Sequence, residues 1–339
     1  MHKAIQRVVE RGEITQIRTL PTWQKFLHKF YTARPDLNTS NTWFISVYNG
    51  LGDAFFILGF LKEFRRFHSV EKLVVIHRKG LSELVMGFKQ SFDASIVVES
   101  DLQGTEFNTE FNPNCLILSS KTYLNRGDWV DMAISNNIPI IDWYKYGLRL
   151  PMNSPFTPPS YPKVEVQHLI EKLGLEKGRA VILLPYTNFG ARLGMEQWTL
   201  VAKSASEQGL KVLTNCRNTS AKGSTYQQKI ENLYEEIPGT IQLDCSMSEF
   251  WELVSFCGYI ASGVGGLIVT TVFSDAKCLV IHEDFEIDGK FLNSRFEGQS
   301  LGPLDTIDSV QSTFPYRKNI TEITTGEKFK NKLDNFFSS

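Results

Sequence analysis

Short runs of β-branched and aromatic residues alternate with longer stretches of helical periodicity along most of this chain. That alternation constrains the fold more than any other feature. TWFISVY (42–48), KLVVIH (72–77), SIVVE (95–99) and NCLILS (114–119) read as strands, with IPIID (138–142) as a further one. AFFILGFLKEFRRF and LSELVMGFKQ supply helical patterns between the first of them. The second half repeats the pattern. AVILLP (180–185), KVLTN (211–215), TIQLD (240–244), GYIAS (258–262) and CLVIHE (278–283) read as strands. Helices are expected at VQHLIEKLGL (166–175), MEQWTLVAKSASEQG (195–209), STYQQKIENLYEEI (224–237), MSEFWELVSFC (247–257) and VGGLIVTTVF. Ser246 and Glu249 form a capping-box pair before the fourth, and Gly209 suits the end of the second. Alternating β and α predicts parallel sheets with helices on both faces.

Between the halves lies PMNSPFTPPSYP, with five prolines in twelve positions. Proline fixes φ and has no backbone donor, so this run can be neither a helix nor a central strand. The expected division is an N-terminal helical extension (1–40), a Rossmann-like domain (41–150), a Pro-rich linker (151–165), a second Rossmann-like domain (166–315) and a C-terminal helix (316–339) able to pack back on the first domain. The predicted fold class is therefore α/β, two Rossmann-like domains facing a cleft, with ligands at the carboxyl ends of the strands.

A formal net charge of -1 argues against a general nucleic-acid binder. Met1 opens a polar segment, MHKAIQRVVERGE, without the pattern of a signal peptide. The longest apolar run, AFFILGFL, is far short of the roughly 20 residues that span a bilayer. A cytoplasmic location is expected, with any membrane contact peripheral. The N-terminal segment carries an apolar face and Lys3, Arg7, Arg11 and Arg18. It can pack on its own domain or rest on a membrane or a partner subunit. The five cysteines include no CxxC pair and four of them sit in or beside apolar segments, which reads as core packing. His282-Glu283 lacks a second histidine at helical spacing, so no metal site is expected.

Three loops can carry chemistry. Asn49-Gly50-Leu51-Gly52-Asp53 follows a strand and opens a helix. Gly50 and Gly52 allow a tight turn and close approach, while Asp53 is either a helix cap or a general base. LLPYTNFGARLGMEQW (183–198) leaves a buried strand through a polar loop. There Arg192 can reach an anion, and Thr187 and Asn188 can add neutral hydrogen bonds. SGVGG (262–266) places Gly263, Gly265 and Gly266 between a strand and a helix. That corner serves either tight packing or backbone N–H donation to a phosphate. Glu283, at the end of the next strand, is either an exposed acid or an acceptor for ribose hydroxyls.

Together these loops resemble the GT-B glycosyltransferases, most closely the heptosyltransferase-like family nine, over about residues 42–285. GLGD (50–53) matches the family's GxGD loop, LLPYTNFGARLGMEQW its basic central loop, and SGVGGLIVTTVFSDAKCLVIHE its C-terminal turn. The resemblance implies Asp53 as the base and Arg192 on the donor phosphate, with Gly263, Gly265 and Gly266 on the diphosphate or sugar. It implies an inverting transfer of a sugar from a nucleoside-diphosphate donor to a saccharide, lipid-linked or glycoconjugate acceptor in surface polysaccharide assembly. No cofactor or metal is expected. Gly263-Val264-Gly265 stands where heptosyltransferases carry Asp-Ser/Thr-Gly followed by a histidine, which points to a sugar other than heptose. A nucleotide-sugar epimerase, or a non-catalytic nucleotide- or sugar-binding relic of the fold, are the alternative readings.

Overall fold

The computed structural model describes residues 13–14, 28, 30–47, 50–98, 115–118, 140–185, 193–215, 237–263, 265–282, 285–287, 290–292, 310–326 and 328–339. The chain divides into two compact units, residues 1–135 with 141–162, and residues 136–140 with 163–339.

The first unit holds β1 (Glu13–Ile14), β2 (Thr42–Val47), α1 (Leu51–Phe67), β3 (Lys72–Arg78), α2 (Ser82–Met86), β4 (Ala94–Val98), β5 (Cys115–Leu118) and, from Ile141 on, α3 (Ile140–Gly147). Its five-stranded sheet runs β1-β4-β3-β2-β5, and every pairing is parallel. Setting aside the two-residue β1, the strands stand third, second, first, fourth, which is the start of the Rossmann order. β2 and β3 are buried almost throughout, as a sheet covered on both faces requires. α1 is buried all round over Ala54–Leu61, and Phe55, Phe60 and Phe64 lie in the core.

Two expectations are corrected here. IPIID does not form a strand: α3 begins at Ile140. Ile141, Tyr144 and Leu148 recur at helical spacing and are buried, and an Asp142–Lys145 ion pair at 2.8 Å flanks that stripe. Burial of that stripe outweighs the strand preference of the isoleucines. The N-terminal extension (1–40) is not helical throughout, because Glu13 and Ile14 extend the sheet by pairing with Val97 and Val98. Phe30 and Tyr31 are helical, and the Phe30 ring packs edge-on against Phe44 within the same unit.

The Pro-rich stretch is a strap packed on the first unit. Phe156 lies among Phe55, Phe60 and Phe88, with ring centroids 5.2–6.5 Å apart. It sits directly on the α1 backbone at Gly59, where a Cβ would come within 2.0 Å of the ring. Tyr161 covers Gly87 in the same way, at 2.6 Å. The strap also donates Thr157 N to Gly59 O (2.8 Å) and Ser160 N to Gly87 O (2.7 Å). Proline cannot satisfy a ladder, so the strap is held by buried rings and these separate bonds.

The second unit continues with α4 (Gln167–Leu173), β6 (Ala180–Leu184), α5 (Met195–Glu207), β7 (Lys211–Thr214), β8 (Ile241–Gln242), α6 (Met247–Cys257), β9 (Gly258–Gly263), α7 (Gly266–Thr271), β10 (Lys277–His282), β11 (Phe285–Ile287), β12 (Lys290–Leu292), α8 (Val310–Thr313), β13 (Ile320–Thr324) and α9 (Phe329–Ser338). Its six-stranded sheet runs β13-β10-β9-β6-β7-β8, again parallel at every pairing. Counted along the chain this is 3-2-1-4-5-6, the full Rossmann order. The capping box forms as expected: Ser246 Oγ accepts from Glu249 N at 3.3 Å, and Glu249 Oε2 accepts from Ser246 N at 2.7 Å. Gly209 lies just past α5 at φ +73°, and Gly258 ends α6 at φ +88°, conformations that favour glycine. The expected helix at 224–237 falls outside the described residues, apart from Ile237.

The terminal helix α9 packs into the core of the second unit. Phe329, Leu333, Phe336 and Phe337 are buried in the core shared with α5 and the sheet. Ser204 donates to Asp334, and Lys330 bridges Glu207 (3.1 Å) and Asp334 (2.8 Å).

Candidate functional site

In a doubly wound sheet, ligands gather at the carboxyl ends of the strands where the order reverses, because the crossovers leave that point on opposite faces. In the first sheet the reversal falls between β2 and β5, whose last described pair is Val47–Leu118. The chain leaving β2 there runs directly into Gly50-Leu51-Gly52-Asp53. In the second sheet the reversal falls between β6 and β9, whose pairing ends at Leu184–Ser262. Ser262 Oγ donates to Leu184 O at 3.3 Å, stitching the two strand ends together. The segment carrying Thr187, Asn188 and Arg192 leaves β6 at that point, and Gly263 leaves β9 beside it. All three sequence-derived loops therefore depart from reversal points.

Asp53 occupies the first turn of α1 and is half-buried. Its Oδ2 accepts the Gly50 N–H at 3.1 Å, the contact that a helix cap makes. A second contact was not anticipated: the Tyr144 hydroxyl donates to Oδ1. Tyr144 is 5% exposed, and its ring stacks on Phe56 at 5.1 Å and 18°. The missed signal was the helical spacing of Ile141, Tyr144 and Leu148 inside a segment read as a strand.

Gly50 has φ -55°, which any residue adopts. Its lack of a side chain matters for space instead, since a Cβ would stand 3.3 Å from Asp53 Oδ2. Gly265 is extended at φ -173°. The described glycines with positive φ do not include Gly50, Gly52, Gly263, Gly265 or Gly266. The turns here thus need no left-handed backbone at these positions. Gly263 closes β9 and Gly266 opens α7, which is only six residues long. Asn49, Thr187, Asn188, Arg192, Val264 and Glu283 lie outside the described residues.

His77, one residue before the end of β3, pairs with Val47 of β2, next to the strand end that leads to Asp53. It is 2% exposed, and burial pulls its pKa below the usual imidazole value. Its Nδ1 lies 3.0 Å from Arg78 O, so that nitrogen carries the hydrogen. His282, beside Glu283, is 6% exposed, with Nε2 3.7 Å from Glu322 Oε1. Among the described residues no group of three His, Cys, Asp or Glu could hold a metal ion. None of the described helices is long and apolar enough to cross a membrane.

No family model matches this chain, and no curated protein matches it. Solved structures do. The E. coli ADP-heptose LPS heptosyltransferase II superposes with a TM-score of 0.53 at 11% identity, covering 88% of this chain and 98% of the other. A glycosyltransferase of family 9 from Veillonella parvula DSM 2008 gives 0.51 at 13% identity, covering 88% and 93%. The iron-containing dodecameric glycosyltransferase TibC of enterotoxigenic E. coli H10407 gives 0.52 at 11% identity, covering 88% and 76%. Across most of its length, this chain has the α/β fold of the heptosyltransferases and of glycosyltransferase family nine.

Proposed function

We propose that this protein is a GT-B glycosyltransferase that moves a sugar from a nucleoside-diphosphate donor to a saccharide or glycoconjugate acceptor with inversion. The observation carrying this reading is the placement of Asp53 at the reversal point of the first sheet, on a fold shared with sugar transferases. In the proposed step the acceptor oxygen attacks the anomeric carbon and its proton passes to Asp53. The bond from that carbon to the diphosphate oxygen breaks, and the electron pair leaves with the nucleoside diphosphate. A carboxylate can accept that proton because each oxygen has two lone pairs, and the Gly50 N–H and the Tyr144 hydroxyl each use only one.

The leaving diphosphate gains negative charge, which donors fixed in advance stabilise best. Arg192 and the amides around Gly263, Gly265 and Gly266 are the proposed donors. Thr187 and Asn188 add neutral bonds, and Glu283 takes the ribose hydroxyls. With these groups opposing the charge, the reaction is proposed to need no metal. The E. coli heptosyltransferase II is an ADP-heptose enzyme. Gly263-Val264-Gly265 offers no carboxylate to read a sugar, so the proposed donor here is a different sugar on the same kind of diphosphate.

The test is incubation with ADP-, UDP-, GDP- and CDP-activated sugars, with and without saccharide acceptors, reading nucleoside diphosphate release. Release that requires an acceptor is expected. An isomerised donor would mean an epimerase, and tight binding without turnover a relic of the fold. Arg192→Ala should slow transfer roughly 10²–10³-fold, the usual consequence of removing one charge-stabilising donor.

A further inference from the structure

Asp53 is held on both oxygens by groups from two separate segments. The Gly50 N–H meets Oδ2 from three residues away, whereas the Tyr144 hydroxyl meets Oδ1 from 91 residues away. We propose that Tyr144 is a positioning residue for the base: its hydroxyl fixes the plane of the Asp53 carboxylate so that it faces the acceptor's proton. This inference rests on the glycosyl-transfer reading of Asp53.

One donor leaves a carboxylate able to rotate about its Cβ–Cγ bond, because that terminal torsion is broad and soft. A second donor on the other oxygen removes this freedom. The donor must itself be fixed, and Tyr144 is. Its ring is buried and lies flat on Phe56, which stands three residues beyond Asp53 on α1. Carboxylate and ring platform thus belong to one rigid helix, and the hydroxyl is clamped between them.

Helix capping does not account for the tyrosine. At α6 the cap is completed within the motif, Ser246 and Glu249 satisfying each other. At α1 the cap residue is Gly50, which has no side chain to return a bond. A buried tyrosine hydroxyl does need a partner. A backbone carbonyl would serve that need equally well, but this hydroxyl goes to the one acid in the first turn of α1. Reaction geometry tolerates little error in a reacting group, so the orientation of the base carries a large share of the rate.

The test compares Tyr144→Phe, Asp53→Asn and the double variant with the parent protein, reading transfer kinetics and melting temperature. Tyr144→Phe keeps the ring on Phe56 and removes only the hydroxyl. It should lower kcat roughly ten- to hundred-fold, as loss of a hydrogen bond to a charged group does. KM for the nucleotide sugar should stay within about twofold, and melting within a few degrees. The double variant should be no slower than Asp53→Asn alone, since the hydroxyl acts only through that carboxylate. An unchanged kcat in Tyr144→Phe, with Asp53→Asn inactive, would overturn the positioning role and leave the transfer reading intact. A loss of equal size in both backgrounds would make the hydroxyl merely structural. Full transfer by Asp53→Asn would remove the base itself and with it both assignments.

Discussion

Burial penalises the charged form of His77 and pulls its pKa below that of an ordinary imidazole in the folded protein. In the unfolded chain an ordinary imidazole takes a proton below about pH 6.5. The unfolded state therefore binds more protons in that range, and stability must fall as pH drops through it. The urea midpoint should decline below about pH 6.5, and His77→Gln, which cannot take the proton, should decline less steeply. Parallel slopes for the two proteins would contradict a lowered pKa at this buried ring. Burial acts on two cysteines as well, pushing the Cys257 and Cys278 thiols up to about 12. Since the thiolate is the reactive form, neither should react with a thiol reagent at pH 8 until the protein unfolds. Labelling of either in the native protein would show a more accessible site.

The strap and the helix beneath it depend on each other. In an exposed helix, Gly→Ala stabilises by about 1 kcal/mol. At Gly59 the new methyl would meet Phe156, whose ring is hemmed in by Phe55, Phe60 and Phe88. Overpacking of this kind costs roughly 1–3 kcal/mol. Gly59→Ala should therefore lower the denaturation midpoint, and a raised midpoint would mean that the strap is not seated on α1. Such elements differ in how far the sequence reveals them. The Ser246–Glu249 box and Gly209 were legible because their chemistry is complete within a few residues. α3 was not, because Pro139-Ile140-Ile141 looks like the start of a strand until the partners of Tyr144 and Leu148 are known. The strap was legible as a helix breaker, but the notches at Gly59 and Gly87 lie far along the chain. Tyr144 was missed for the same reason: neither end of its bond to Asp53 announces the other.

At the scale of the two units, alternation of β and α predicted parallel sheets, and the five- and six-stranded sheets are parallel, while β11 and β12 pair as a separate antiparallel ribbon. Strand order resides in long-range pairings that periodicity does not encode, so only the structure shows that the candidate loops leave the reversal points. The second unit also relies on its last helix. Leu333 is fully buried in the core that α9 shares with α5. Leu333→Ala should cost about 2–5 kcal/mol, read as a lower urea midpoint. A change below about 0.5 kcal/mol would mean that α9 is not part of that core. Glycosyl transfer is tested most directly by setting transfer against binding in Asp53→Asn. Transfer should fall by roughly 10²–10⁴-fold, the usual contribution of a general base. Affinity for the nucleoside diphosphate should stay nearly unchanged. Transfer that survives the substitution, or a loss of binding in step with it, would contradict the account.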